Sequence, residues 1–110
     1  MSYRGPRCRH REVWHDDIRD ERARQVKLWG DQSALPDGVN QSGDARRMLE
    51  LRVAANLAMH DGTVTFRDIL AEEVAEAFAS TDDNELRREL VQVAAVAAQW
   101  IEAIDKRGER

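Results

Sequence analysis

Residues 69–78 read Ile69-Leu70-Ala71-Glu72-Glu73-Val74-Ala75-Glu76-Ala77-Phe78, and helical periodicity sorts this string into two faces. Residues three or four apart on a helix are neighbours, so Glu73 adjoins Glu76, as does Glu72. Ile69, Leu70, Val74, Ala77 and Phe78 are left to pack. Clustered carboxylates repel one another, and a solvated helix face ordinarily intersperses them with Lys or Arg at i+4. No basic residue stands between Glu72 and Arg87. The pattern therefore predicts a counter-charge from outside the chain, for which a divalent cation is suited. The plain alternative is a solvated acidic face.

The segments on either side set where this helix starts and what it faces. Thr65-Phe66-Arg67-Asp68 is a variant of the capping box, with Thr65 as N-cap and Asp68 reaching back. Ser80 to Asn84 forms a short acidic turn, suited to an antiparallel helix pair. The following helix runs from about Glu85 to Lys106. Its apolar face is wide, made of Leu86, Leu90, Val93, Val96, Ala97, Trp100, Ile101 and Ile104. Ala94, Ala95, Ala97 and Ala98 keep its middle slim, which favours close helix approach and predicts a twofold dimer or higher homo-oligomer. On this helix Glu89 and Gln92 are three apart and share a face. Two facing i,i+3 pairs, one per helix, can assemble a divalent-cation site in a helical bundle.

Upstream, Asp44 is suited to cap a helix over Ala45 to about Met59, with Leu49, Val53 and Leu57 (and Ala54) as its buried stripe and Gly62 as its stop. His60 at that end is expected to meet the final carbonyls. Asp31 to Gly43, with Pro36, Gly38 and Asn40, reads as a long loop. A first helix is expected from Asp16 or Asp17 to Gly30, with Trp14, Ile18, Gln25, Leu28 and Trp29 recurring at helical spacing and Arg19, Arg22 and Arg24 outward. The only strand-like piece is Thr63-Val64-Thr65. The expected fold is all-α, an antiparallel bundle of about four helices. A flexible basic arm occupies residues 1–14, the helical domain 15–107 and a tail 108–110.

The 110 residues carry 21 acids against 17 Lys and Arg, a formal charge of −4, which argues against nucleic acid as partner. The charge is uneven. The first eleven residues hold Arg4, Arg7, Arg9 and Arg11 with His10 and no acid, whereas Asp68 to Glu89 hold eight acids offset by Arg87 and Arg88. A helix-turn-helix reader over Thr65–Ser80 is disfavoured, because its recognition helix would be acidic. A lone cysteine, Cys8, excludes an internal disulfide and a cysteine-based zinc site. No apolar run approaches the roughly 20 residues of a membrane span, and no leader pattern is present, so a cytoplasmic protein is expected.

The acidic pairs and their surroundings resemble the MazG-like superfamily of all-α nucleoside triphosphate pyrophosphohydrolases, in its phage and actinobacterial form. The signature there is ExxE on one helix and ExxD on the next. This chain offers Glu73-Val74-Ala75-Glu76 and Glu89-Leu90-Val91-Gln92, while Lys27-Leu28-Trp29-Gly30-Asp31-Gln32 is similar to the WGxQ element preceding the metal helices. The likeness extends over roughly Arg22 to Arg107. It implies that Glu73, Glu76 and Glu89, with Gln92, hold Mg²⁺ (or Mn²⁺), and that Glu72 is a further ligand or the base activating water. The implied reaction cleaves a nucleoside triphosphate between its α- and β-phosphates, giving a monophosphate and pyrophosphate. Trp29 and Gln32 would hold the base, and Lys106 and Arg107 the departing phosphates. Gln92 departs from the family's Asp and removes one negative charge, which lowers the expected cation affinity. The competing expectation is a non-catalytic helical module that binds nucleotide or a protein partner.

Overall fold

The computed structural model describes residues 9–108, with side chains from Val13 onward. It is all-helical, with no strand among the described residues, and it fits a helical bundle. The four helices are α1 (Arg9–Trp29), α2 (Asp44–Asp61), α3 (Phe66–Phe78) and α4 (Asp83–Gly108). No helix among the described residues is long and apolar enough to cross a membrane. The chain divides into two compact units. One comprises residues 37–97, holding α2, α3 and the first part of α4; the other joins the segment before residue 37 to the segment after residue 97.

In the first unit, α2 and α3 pack as a helical hairpin. The connection is short and tightly specified. Gly62 takes a left-handed conformation (φ 73°) and its amide closes α2 on the carbonyls of Ala58 and Met59. Thr65 then caps α3 as the sequence predicts. Its hydroxyl accepts from the Asp68 amide at 3.1 Å, and the Asp68 carboxylate accepts from the Thr65 amide at 3.0 Å. At the far end the Ser80 side chain is buried and its hydroxyl donates to the Glu76 carbonyl at 3.1 Å, closing the last turn. The Asn40 amide donates to the Phe78 carbonyl at 2.7 Å, which ties the loop before α2 to the end of α3. Asp82 starts α4, accepting on its side chain from the Glu85 amide at 2.8 Å.

The packing of α2 corrects the sequence reading. Ala55 is buried, and Met48, Leu51 and Ala58 are half-buried at the same helical spacing; this is the stripe that covers α3. Leu49, Val53, Ala54 and Leu57 face outward instead. Both stripes satisfy the i, i+4 rule, and the side rich in alanine lets the helices approach closely. The start of α2 also differs. Gly43 is the N-cap residue, with φ 92°, and Asp44 is the first helical residue. The Asp44 carboxylate accepts from the Gln41 amide at 2.7 Å, so it braces the incoming loop rather than capping.

In the other unit α1 begins at Arg9, not at Asp16 or Asp17, so the helix takes in part of the expected arm; residues 1–8 lie outside the described residues. Nothing between Arg7 and Val13 breaks a helix, and Asp16 is engaged inside it by Arg19 at 3.0 Å. Glu21 binds Arg24 through both carboxylate oxygens, at 2.8 and 2.7 Å, and accepts from Gln25. The Arg24 contact, then Gln25, holds the Glu21 carboxyl down to about 2. Trp14 and Ile18 are half-buried, whereas Leu28 and Trp29 at the end of α1 are exposed. Gly30 stops the helix at φ 73°, its amide donating to Val26. Along α4 no residue is fully buried, and Leu90, Val91 and Ile104 are at least half exposed.

Candidate metal centre

The capping box at Thr65 fixes the phase of α3, and that phase turns Glu73 and Glu76 toward α4. Glu89, in the second turn of α4, meets them there. One carboxylate oxygen from each of Glu73, Glu76 and Glu89 lies within 4.8 Å of the others, the spacing of ligands around one small cation. Among the described residues this is the one such grouping of His, Cys, Asp or Glu side chains. The convergence of the α3 pair with Glu89 follows the sequence expectation.

Burial and like-charge crowding shift the carboxyls of Glu72, Glu73 and Glu89 upward. Burial first, and then Glu76, Glu89 and Glu72 nearby, push the Glu73 carboxyl above the usual range. Glu73 Oε2 is shut off from water with no hydrogen-bond partner. Glu89 is raised by burial, then by the Glu76 carboxylate within hydrogen-bonding range, with Arg88 working in the opposite direction. Glu72 is raised by burial and by Glu76, and lowered by Arg52. An orphaned carboxylate oxygen and two acids crowded against a third form a donor set of hard oxygens that fits a divalent cation.

One participant escaped the sequence reading. Arg52 of α2 reaches across to α3, where its guanidinium donates to Glu76 Oε1 at 3.0 Å and its Nε lies 4.0 Å from Glu72. The expectation of a counter-charge from outside the chain is corrected in part, since Arg52 supplies some of it from within. The carboxyl side chains of Glu72 and Glu76 are each 19% exposed, so this cation acts where solvent screening is reduced. Charge counting along α3 misses it, because Arg52 is 24 residues from Glu76. Its only signal in the sequence is a long basic side chain on the helix that precedes the capping box.

Gln92 is exposed and lines a shallow groove with Asn84, Arg88, Val91 and Ala95. Trp29 and Gln32 are exposed at and just beyond the end of α1, and Lys106 and Arg107 are exposed in the last turn of α4. These four belong to the unit that does not contain the carboxylates. His60 meets the neighbouring Asp61 carboxylate at 3.4 Å through Nδ1.

No family model, curated protein or solved structure matches the chain.

Proposed function

We propose that the chain is a divalent-cation-dependent nucleoside triphosphate pyrophosphohydrolase, cleaving between the α- and β-phosphates to release a nucleoside monophosphate and pyrophosphate. The observation that carries this reading is the convergence of Glu73, Glu76 and Glu89 within 4.8 Å, with one Glu73 oxygen left unpartnered. These three side chains would hold Mg²⁺ or Mn²⁺, which when bound supplies charge neutralisation for substrate phosphates and acidification of a water.

The chain's own groups divide the remaining work. Glu72 stands beside the cluster, its carboxyl raised by burial and by Glu76, and is assigned as the base taking a proton from the attacking water. Arg52 fixes Glu76 and faces Glu72, orienting both. From the family resemblance, Trp29 and Gln32 are assigned to the base, and Lys106 and Arg107 to the departing phosphates. The wide apolar face of α4 and its alanine-rich middle support a homo-oligomer.

The test combines calorimetry and turnover. Purified protein should bind Mg²⁺ or Mn²⁺ and release pyrophosphate from deoxynucleoside triphosphates. Glu76→Ala should abolish release while helicity persists. Absence of cation binding, with or without nucleotide, would overturn the proposal.

A non-catalytic nucleotide-binding or protein-interaction module is the second reading. It is favoured by Arg52, which already offsets part of the acidic charge, and by Gln92 in place of an acid. On that reading, replacing Glu73, Glu76 and Glu89 together by Gln leaves function intact.

A further inference from the structure

Arg52 is tied to the carboxylates by a single hydrogen bond. Its Nη2 donates to Glu76 Oε1 at 3.0 Å, while Nε stands 4.0 Å from Glu72, beyond hydrogen-bond reach. Of the five N–H groups of a guanidinium, the described residues engage one. The same chain shows a completed pairing at Arg24, which meets both oxygens of Glu21 at 2.8 and 2.7 Å. Arg52 also spans two environments. Its side chain is 44% exposed against 19% for Glu76, so it holds a sheltered carboxylate while much of it still meets solvent.

Two demands on this site conflict. A cation centre needs oxygens, and Glu73, Glu76 and Glu89 supply them. The same carboxylates repel the phosphates of a substrate, which need a positive group beside them. Among the described residues Arg52 is the basic side chain in contact with these acids; Arg88 acts on Glu89 by charge, without an ion pair. Lys106 and Arg107 belong to the other unit. Glu76 is common to both demands, being one of the three converging acids and the one that Arg52 holds. A carboxylate engaged by a divalent cation is a weaker acceptor for a guanidinium, and the two positive charges repel. What then matches the planar fork is a phosphate, bound through two parallel N–H groups.

We propose that Arg52 is a phosphate-binding residue that Glu76 holds in reserve: once Glu73, Glu76 and Glu89 hold a divalent cation, its guanidinium leaves Glu76 for a phosphate of the substrate. This role rests on the cation-binding reading above and adds to it a residue and an order of events. Arg52 competes with the cation for Glu76, whereas phosphate needs Arg52 released. Removing the guanidinium therefore has opposite effects on two ligands, raising cation affinity and lowering phosphate affinity. A side chain that merely braced Glu76 would, on removal, lower both.

Calorimetry of the full chain reads the two ligands separately, with Mn²⁺ alone and then with inorganic pyrophosphate added to protein saturated with Mg²⁺; circular dichroism confirms helicity. Arg52→Gln, which keeps a polar side chain without the charge, should bind Mn²⁺ about fivefold tighter than the wild type and pyrophosphate about tenfold more weakly. Arg52→Ala should move both affinities in the same directions. Arg52→Lys keeps the charge without the fork and should return both toward the wild type, with pyrophosphate still about threefold weak. An Arg52→Gln protein that binds Mn²⁺ no tighter than the wild type, or pyrophosphate equally well, overturns the role of Arg52 and leaves the cation centre standing. A wild type that binds no Mn²⁺ overturns the centre itself, and the role of Arg52 with it.

Discussion

Glu73→Gln isolates the charge of the carboxylate cluster with little change in shape. Oxygens of Glu73, Glu76 and Glu89 lie within 4.8 Å of one another. At that separation a like-charge pair costs about 0.9 kcal/mol at the dielectric of water and about 3.5 kcal/mol at an effective dielectric of 20. The site is half-buried and Arg52 offsets part of the charge, so the gain from removing one carboxylate should be about 1–2 kcal/mol at neutral pH. For a domain of this size that corresponds to a rise in Tm of roughly 5–10 °C. Thermal unfolding at 222 nm, with chelator present at pH 7.5, measures it. Added Mg²⁺ should stabilise the wild type by mass action and the variant by less. The direction with pH is also fixed. Glu72, Glu73 and Glu89 are all raised in the folded chain, so folding takes up protons between the ordinary carboxyl range and those higher values. The contribution of these three groups to the stability of the cation-free protein should therefore be largest at and below the ordinary carboxyl range and fall as pH rises through the raised values. A Glu73→Gln protein that melts below the wild type in chelator, and a wild type indifferent to pH across that window, would refute the reasoning.

Arg52→Ala should lower stability in chelator by about 1 kcal/mol, the value of a charge-assisted contact at a partly screened site, and thermal melts with and without Mg²⁺ should show that cation recovers part of the loss. Thr65→Ala should cost about 1 kcal/mol by breaking both halves of the capping box, read by urea unfolding with an unchanged m-value. Gly62→Ala should cost about 1–2 kcal/mol because its φ of 73° strains any side chain, although nothing crowds the added methyl. Gln92→Asp, which restores the acid of the resembled motif, should tighten Mg²⁺ binding in a calorimetric titration.

Several local features were legible from residues within one helical turn of one another. Thr65 with Asp68, the stop at Gly62 and the stop at Gly30 all follow from backbone rules that need no knowledge of neighbours. The Glu73, Glu76 and Glu89 grouping was legible because a short turn between helices constrains which faces meet. The inward face of α2 was not. Leu49, Val53 and Leu57 form a stronger hydrophobic ladder than Met48, Leu51, Ala55 and Ala58, yet the smaller residues allow closer packing on α3. Hydrophobic strength alone cannot choose between two faces with the same period. Arg52 was hidden for a related reason, since an ion pair between helices leaves no trace in the spacing of either one. The start of α1 was misjudged because two aspartates suited to a cap also serve inside a helix, where Asp16 finds Arg19.

The Asn40 amide on the Phe78 carbonyl, with Gln41 bonded both to Gly38 and to Asp44, divides the connection between α1 and α2 into unlike halves. From Gly38 onward the connection is tethered at Gly38, Asn40 and Gln41, and an added residue there would disturb the Asn40 bond to the end of α3. Before Pro36 the chain makes its own small turn, Ser33 on Asp31 and Leu35 on Gln32. Length variation, whether by natural drift or by an engineered insertion, is therefore to be absorbed ahead of the proline, and a tag or fluorophore placed there leaves the acidic trio undisturbed.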